Sequence, residues 1–130
     1  MLRLKRKNII SIAILCWAFI IFILCSLPGE EIPTPNWQIP YLDKIVHVGM
    51  FFLLSMLISL MSIWDTFLTF KKLLIIVTLV ALVYGGFIEI MQHYYFDRSG
   101  EILDLGADLL GAIIGCCFYP FIRNIKRGKN

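Results

Sequence analysis

Charged residues are scarce in this sequence, and long stretches contain none at all. Only 16% of the 130 residues are Asp, Glu, Lys or Arg, whereas 59% are hydrophobic, and the mean hydropathy is +0.82. A soluble globule of this length needs more polar side chains to cover its surface. The composition therefore excludes a soluble domain and predicts an integral membrane protein.

Signatures of common soluble sites are also missing. The four cysteines show no CxxC spacing, and the sequence has neither an HExxH motif nor a glycine-rich loop that would cradle phosphate. The net charge of +3 comes from the segments that flank the hydrophobic runs, so it does not indicate nucleic-acid binding. We predict ordinary apolar packing for the cysteines and no nucleic-acid partner.

Four long hydrophobic runs are present, separated by charged or proline-containing segments. Each approaches the roughly 20 residues that a helix needs to cross a hydrocarbon layer about 30 Å thick. The runs predict one all-α domain over residues 1–130, a membrane bundle of four transmembrane helices at about residues 9–27, 45–63, 73–90 and 103–122. The first run is too long for a signal peptide and lacks a small-residue cleavage site, so we expect it to remain as an anchor.

The distribution of lysine and arginine predicts the orientation of the bundle. Ten of the 12 lie in the N-terminal segment, the second connection and the C-terminal segment, whereas the first and third connections hold only Lys44 and Arg98. Cytoplasmic loops accumulate these residues. Both termini are therefore predicted to be cytoplasmic.

This topology places the unusual polar residues of the spans at the extracytoplasmic end. They are Asp43, Lys44, His47, Glu89, Gln92, His93, Arg98, Glu101, Asp104 and Asp108. Asp43 and His47 are four residues apart, as are Asp104 and Asp108, so each pair lies on one face of its helix. We expect these faces to line a shared polar cavity in the outer half of the bundle.

Small residues continue one of these faces. Ala107, Gly111 and Gly115 form a small-xxx-small pattern on the fourth span, and Gly85 lies one turn before Glu89 on the third. Small residues let helices approach closely in lipid. The pattern predicts that the carboxylates point inward, and it also suits a homo-oligomer contact through the glycine face of the fourth span.

Simpler interpretations stay open for some of these residues. Asp43 and Asp104 can act only as helix caps, and Lys44 can extend towards lipid headgroups. His47 lies one turn into its helix, so capping does not explain it. Charged groups within a membrane cost about 2.5–3.5 kcal/mol at a helix centre and usually mark function. A purely structural hydrogen-bond cluster is the alternative.

Taken in order, these residues resemble the VanZ-like family of small bacterial membrane proteins. The matching segments are SLP at 26–28, DKIVH at 43–47 followed by Phe51, YGGFIEIMQ at 84–92, Arg98, and DLGADLLGAIIG at 104–115. The similarity runs from the first helix to the last. One residue departs from the pattern, because Asp108 stands where the family more often has Asn.

The resemblance implies a context in the cell envelope. The family takes its name from a protein linked to resistance to teicoplanin, a glycopeptide antibiotic that carries a fatty acyl chain. A member is expected to be a multi-pass protein of the bacterial cytoplasmic membrane. Its expected partners are membrane lipids and a lipid-linked cell-wall precursor or a lipoglycopeptide.

Three functions are compatible with the polar residues. In an enzyme, His47 beside Glu89 or Asp108 would be a general base held by a carboxylate, while Lys44 or Arg98 holds an anionic headgroup. A non-catalytic module would bind a lipid or antibiotic with the same lining and no proton transfer. A carrier is least favoured, because no polar path leads to the cytoplasm.

We therefore assign two sets of candidate residues and leave turnover open. The predicted catalytic residues are His47, Glu89 and Asp108. The predicted substrate-binding residues are Asp43, Lys44, Tyr84, Gln92, Arg98 and Asp104. Nitrogen and oxygen ligands for a metal ion are available among His47, Glu89, His93, Asp104 and Asp108. No metal-binding motif arranges them, so we predict no metal ion and no cofactor.

Overall fold

The chain folds into helices. The structure, a computed structural model, describes residues 2–27, 41–63, 68–96 and 101–127, and no strand occurs among them. The helices are α1 (Leu2–Ser26), α2 (Leu42–Ser62), α3 (Phe70–Val80), α4 (Gly86–Tyr95), α5 (Ile102–Cys117) and α6 (Tyr119–Arg127), with a π-helical turn at Ala81–Gly85. The all-α prediction is confirmed.

Four helical stretches are long and apolar enough to cross a membrane. They are Leu4–Ser26, Leu42–Ser62, Phe70–Tyr95 and Ile102–Ile125. The predicted spans lie within or overlap these stretches. The largest differences are at the start of the first, which begins at Leu4 rather than residue 9, and at the end of the third, which extends to Tyr95 rather than residue 90. The number of spans is confirmed, whereas the orientation of the termini stays a prediction.

The first span contributes little to the core of the bundle. Only 11% of the apolar part of this span is buried within the protein, and large side chains such as Ile12, Leu15 and Phe19 are exposed. A helix that is apolar on all sides and packed on only one faces lipid elsewhere. Trp17 joins it to α2, because its indole Nε1 donates to the carbonyl oxygen of Met50 at 3.0 Å.

The third span changes its helical geometry in the middle. The π-helical turn Ala81–Gly85 connects α3 to α4 and ends where Gly85 faces the side chains of Leu105 and Asp108. A π turn inserts a residue and so shifts the direction of the side chains that follow it. Gly85 was predicted at a close crossing, but no sequence pattern indicated the π turn.

The pair α2 and α5 is packed most closely, and its contact depends on glycine. Gly111 lies against the backbone of Val48, and Gly115 lies against the carbonyl oxygen of Phe52. The Oγ of Ser55 adds a hydrogen bond to the carbonyl oxygen of Ala112 at 2.7 Å. The face that suited a homo-oligomer contact is therefore occupied by α2 of the same chain.

We expect Gly111→Ala to destabilise the bundle. The new Cβ would lie inside contact distance of the Val48 carbonyl oxygen and the Phe52 backbone nitrogen, neither of which can rotate away. Forced overpacking costs about 1–3 kcal/mol. Gly106→Ala is the matched control, since a Cβ there meets open space and alanine stabilises a helix interior by roughly 0.5–1 kcal/mol. Thermal unfolding in detergent compares the two, and an equal midpoint would contradict the expectation.

Candidate functional site

Lys44 is the centre of an ion-pair group where α2 and α5 begin. Its Nζ lies 2.9 Å from Asp43 Oδ2, 2.8 Å from Glu101 Oε2 and 3.0 Å from Asp104 Oδ1. An ammonium group has three donors, and each is directed to a carboxylate. In this arrangement Lys44 is a counter-ion, and the role predicted for it with an anionic headgroup would require one of these bonds to break.

One helical turn deeper, His47 and Asp108 form a buried pair. The His47 Nδ1 lies 2.9 Å from Asp108 Oδ1, and the two residues are 3% and 0% exposed. His47 follows Lys44 by three residues and Asp108 follows Asp104 by four, so the pair lies about one helical turn below Lys44 and Asp104. With its proton on Nδ1, the ring donates to the carboxylate and keeps Nε2 for a second partner.

Glu89 joins these groups from α4. Its Oε2 accepts a hydrogen bond at 2.9 Å from the backbone N–H of Glu101, and its Oε1 is buried without a hydrogen-bond partner among the described residues. One potential ligand atom each from His47, Glu89 and Asp104 lies within 4.8 Å of the other two. Three helices therefore bring together His47, Glu89 and Asp104, which are three members of the predicted polar cluster.

A cavity of about 280 Å³ lies between the end of α1 and the start of α2. It is lined by Leu24, Cys25, Leu27, Leu42, Asp43, Val46, His47 and Met50. Its wall is apolar except at Asp43 and His47, so it connects an apolar surface to the buried pair. The sequence did not predict this cavity, because the cavity depends on which faces of α1 and α2 lie side by side.

Comparison with known proteins gives one match. The family model described as VanZ/LLP1 matches residues 10–123, which is most of the chain. The chain belongs to the VanZ family. No curated protein and no solved structure matches it.

The segments that carried the resemblance meet in the structure of this VanZ-family protein. DKIVH begins α2, the segment from Glu89 is on α4, and DLGADLLGAIIG lies on α5. Asp108, the residue at which the sequence departs from the resemblance, is bonded to His47. Both a carboxylate and a side-chain amide oxygen can accept from an imidazole N–H, so asparagine at this position of the VanZ-family chain would keep the hydrogen bond.

Two residues predicted to bind substrate instead connect the third span to α1. The Gln92 Nε2 donates to the carbonyl oxygen of Cys25 at 3.0 Å, and the Tyr84 hydroxyl donates to that of Ala18. These bonds explain why polar groups lie at this helix contact. Their role with a substrate stays a prediction, and Arg98 lies outside the described residues, as does the proline-containing connection at residues 28–40.

Helix capping alone does not explain Asp43 and Asp104. The N-cap of α2 is Tyr41, which has a left-handed backbone with φ of 59°, and that of α5 is Glu101. Asp43 and Asp104 lie inside the first turn, where a carboxylate favours the helix dipole. Each also bonds to Lys44, so both carboxylates have a partner outside their own helix end. Glu101 was not among the predicted site residues. Its carboxylate accepts from Lys44 Nζ, and its backbone N–H donates to Glu89 Oε2.

Proposed function

We propose that this VanZ-family protein binds a lipid-linked or acylated molecule of the bacterial cell envelope at the polar cluster. The supporting observation is the apolar cavity that reaches His47, a buried imidazole held by the buried carboxylate of Asp108. Ligand sites combine apolar walls with a few convergent polar groups in this way. The apolar chain would lie between α1 and α2, and the polar end would meet His47.

The predicted orientation fits this proposal. With both termini in the cytoplasm, the cavity opens in the outer half of the bacterial membrane, where lipid-linked wall precursors and lipoglycopeptides are exposed. An acyl chain can then enter sideways from the lipid without leaving an apolar environment. Burial of each CH₂ contributes about 0.8 kcal/mol relative to water, so this route favours amphiphiles over free polar compounds.

Turnover is one form of this function. His47 has the arrangement of a general base that is oriented by a carboxylate, and it would accept a proton from water or a substrate hydroxyl. The alternative is a non-catalytic module that only holds the lipid or antibiotic.

Teicoplanin susceptibility tests this proposal. A Gram-positive host that expresses the wild type should become more resistant, and Val46→Trp and His47→Gln should return it to the level of the empty vector. The indole would fill the cavity, and glutamine would remove the imidazole while keeping a polar side chain. A glycopeptide without an acyl chain should show no change, because it has nothing to place in the cavity.

The control for this assay is the second histidine of the chain. His93 is exposed on α4, and His93→Gln should retain resistance when all variants are present in the membrane in equal amounts. A wild type without effect, or an equal loss in His93→Gln, would contradict a resistance function of the cluster. Loss of abundance in His47→Gln alone would assign the His47–Asp108 pair to stability instead.

A further inference from the structure

We infer that His47, Glu89 and Asp104 bind a divalent transition-metal ion, with Zn²⁺ as the best match, and that Asp108 positions His47 for it. The sequence shows no metal-binding motif because the ligands come from three helices, α2, α4 and α5. One potential ligand atom from each residue lies within 4.8 Å of the others. One imidazole with two carboxylates is a ligand set that suits zinc.

The spacing requires only small side-chain adjustments. Zinc binds nitrogen and oxygen ligands at about 2.0–2.2 Å, which places the ligand atoms about 3–4 Å from one another. A group spread over as much as 4.8 Å closes to these distances by side-chain rotation. All three residues are on regular helices, so their backbones are already held in place.

The bond between His47 and Asp108 supports the metal site independently of the ligand spacing. Metal-binding histidines usually donate their other ring N–H to a carboxylate, which fixes the ring and the tautomer. His47 has such a bond through Nδ1, at 2.9 Å, to a residue with no exposure. This leaves Nε2 as the nitrogen that can bind the ion.

Two carboxylate oxygens at this end are buried and lack a partner. They are Oε1 of Glu89 and Oδ2 of Asp108, among the described residues. A buried polar atom without a partner is unfavourable, and each such atom calls for an explanation. A cation beside Glu89 would supply the missing partner for its Oε1 and would also attract the nearby charge of Asp108.

The overall charge favours a cation here. Five carboxylates gather at this end of the bundle, namely Asp43, Glu89, Glu101, Asp104 and Asp108, and the only lysine among the described residues there is Lys44. A second acidic group, formed by Asp43, Glu101 and Asp104, is also compact. Its cation is the ammonium of Lys44, so the metal ion is assigned to the group that contains His47. Asp104 belongs to both groups: its Oδ1 accepts from Lys44, and its Oδ2 would be the oxygen that binds the ion.

The ion would explain how an acidic cluster accepts an anionic molecule, a conclusion that rests on the proposed function. Five carboxylates repel a phosphate, and the donors of Lys44 are already engaged. Zinc with three protein ligands keeps a fourth position for water or substrate. That position would bind a phosphate or carbonyl oxygen of the lipid-linked molecule whose chain lies in the cavity.

Zinc binding to the purified protein tests the inference without any activity assay. Untagged protein in detergent is stripped with a chelator and titrated with Zn²⁺, and separately with Mn²⁺, by competition with a metal-indicator dye. We expect one Zn²⁺ per chain. Asp108→Leu, which removes the acceptor for His47 Nδ1 that asparagine would keep, should weaken binding about 10- to 100-fold, as loss of an outer-shell partner does, and His47→Gln and Glu89→Gln should weaken it at least as much.

Two variants separate this inference from its alternatives. His93→Gln removes the only other histidine and should leave the affinity unchanged, whereas Val46→Trp fills the cavity and should also retain zinc. Wild type that binds zinc no more tightly than Glu89→Gln would overturn the metal site. If zinc binding is absent while Val46→Trp still abolishes resistance, the proposed function stands without a metal ion. If the wild type binds zinc but gives no resistance, the metal site stands without the proposed function. Circular dichroism and gel filtration confirm that each variant is folded.

Discussion

Lys44→Met is expected to destabilise the protein by about 1–3 kcal/mol, which is the cost of leaving one buried acceptor without its partner, because Lys44 itself is partly exposed. The loss comes mainly from Asp104, whose side chain is 6% exposed and which bonds to Lys44 at 3.0 Å. Asp43 and Glu101 are 44% and 43% exposed, so water can solvate their carboxylates after the change. Exposed pairs contribute little by comparison.

A second substitution tests whether charge is the cause. The double variant Lys44→Met/Asp104→Asn removes the charge that would be left unpaired, and it should recover most of the lost stability. Lys72→Met is the matched control, because Lys72 is exposed at the other end of the bundle. Thermal unfolding in detergent measures all three. A midpoint for Lys44→Met equal to that of Lys72→Met would show that the ion-pair group does not hold α2 to α5.

Gly85→Val is expected both to destabilise the fold and to disturb the cluster. A Cβ at Gly85 would lie 2.5 Å from Asp108 Oδ2 and 3.2 Å from a methyl group of Leu105. Because Asp108 is fully buried and bonded to His47, its carboxylate cannot move without moving the imidazole. We expect a loss of about 1–3 kcal/mol from overpacking, together with weaker binding at the site.

The neighbouring glycine provides the control for this change. A Cβ at Gly86 meets nothing within 4 Å, so Gly86→Val changes the helix propensity similarly without the collision. Thermal unfolding and zinc titration of both variants separate packing from propensity. Equal behaviour of the two variants would mean that the approach of the third span to Asp108 does not shape the site.

The positions of the spans followed from the sequence, because each helix must bury its own backbone hydrogen bonds in lipid and so needs one long apolar run. The turn of helix that separates Asp43 from His47, and Asp104 from Asp108, likewise follows from local geometry. These features do not depend on which other helix each helix packs against. Gly85, Gly111 and Gly115 were also predicted at close helix crossings, because small residues let helices approach closely in lipid.

The partners of Lys44 could not be predicted from the sequence. Its position at a helix end suited either lipid headgroups or an anionic substrate, since the pattern contained no information on its neighbours. The structure brings it to Glu101 and Asp104, which are 57 and 60 residues away in sequence. Glu101 was placed at this end of the bundle from the sequence but not among the candidate site residues, although it accepts from Lys44 and supplies the backbone N–H for Glu89.

The sequence by itself determined that this is a four-span membrane protein of the VanZ family, with its polar residues collected at one end. These properties depend on hydropathy, charge bias and spacing along one chain. The tertiary structure decided that His47 pairs with Asp108, that Lys44 serves as a counter-ion, and that an apolar cavity reaches the pair. Helical periodicity defines which residues share a face of a helix. Packing between segments far apart in sequence determines which other helix contacts that face.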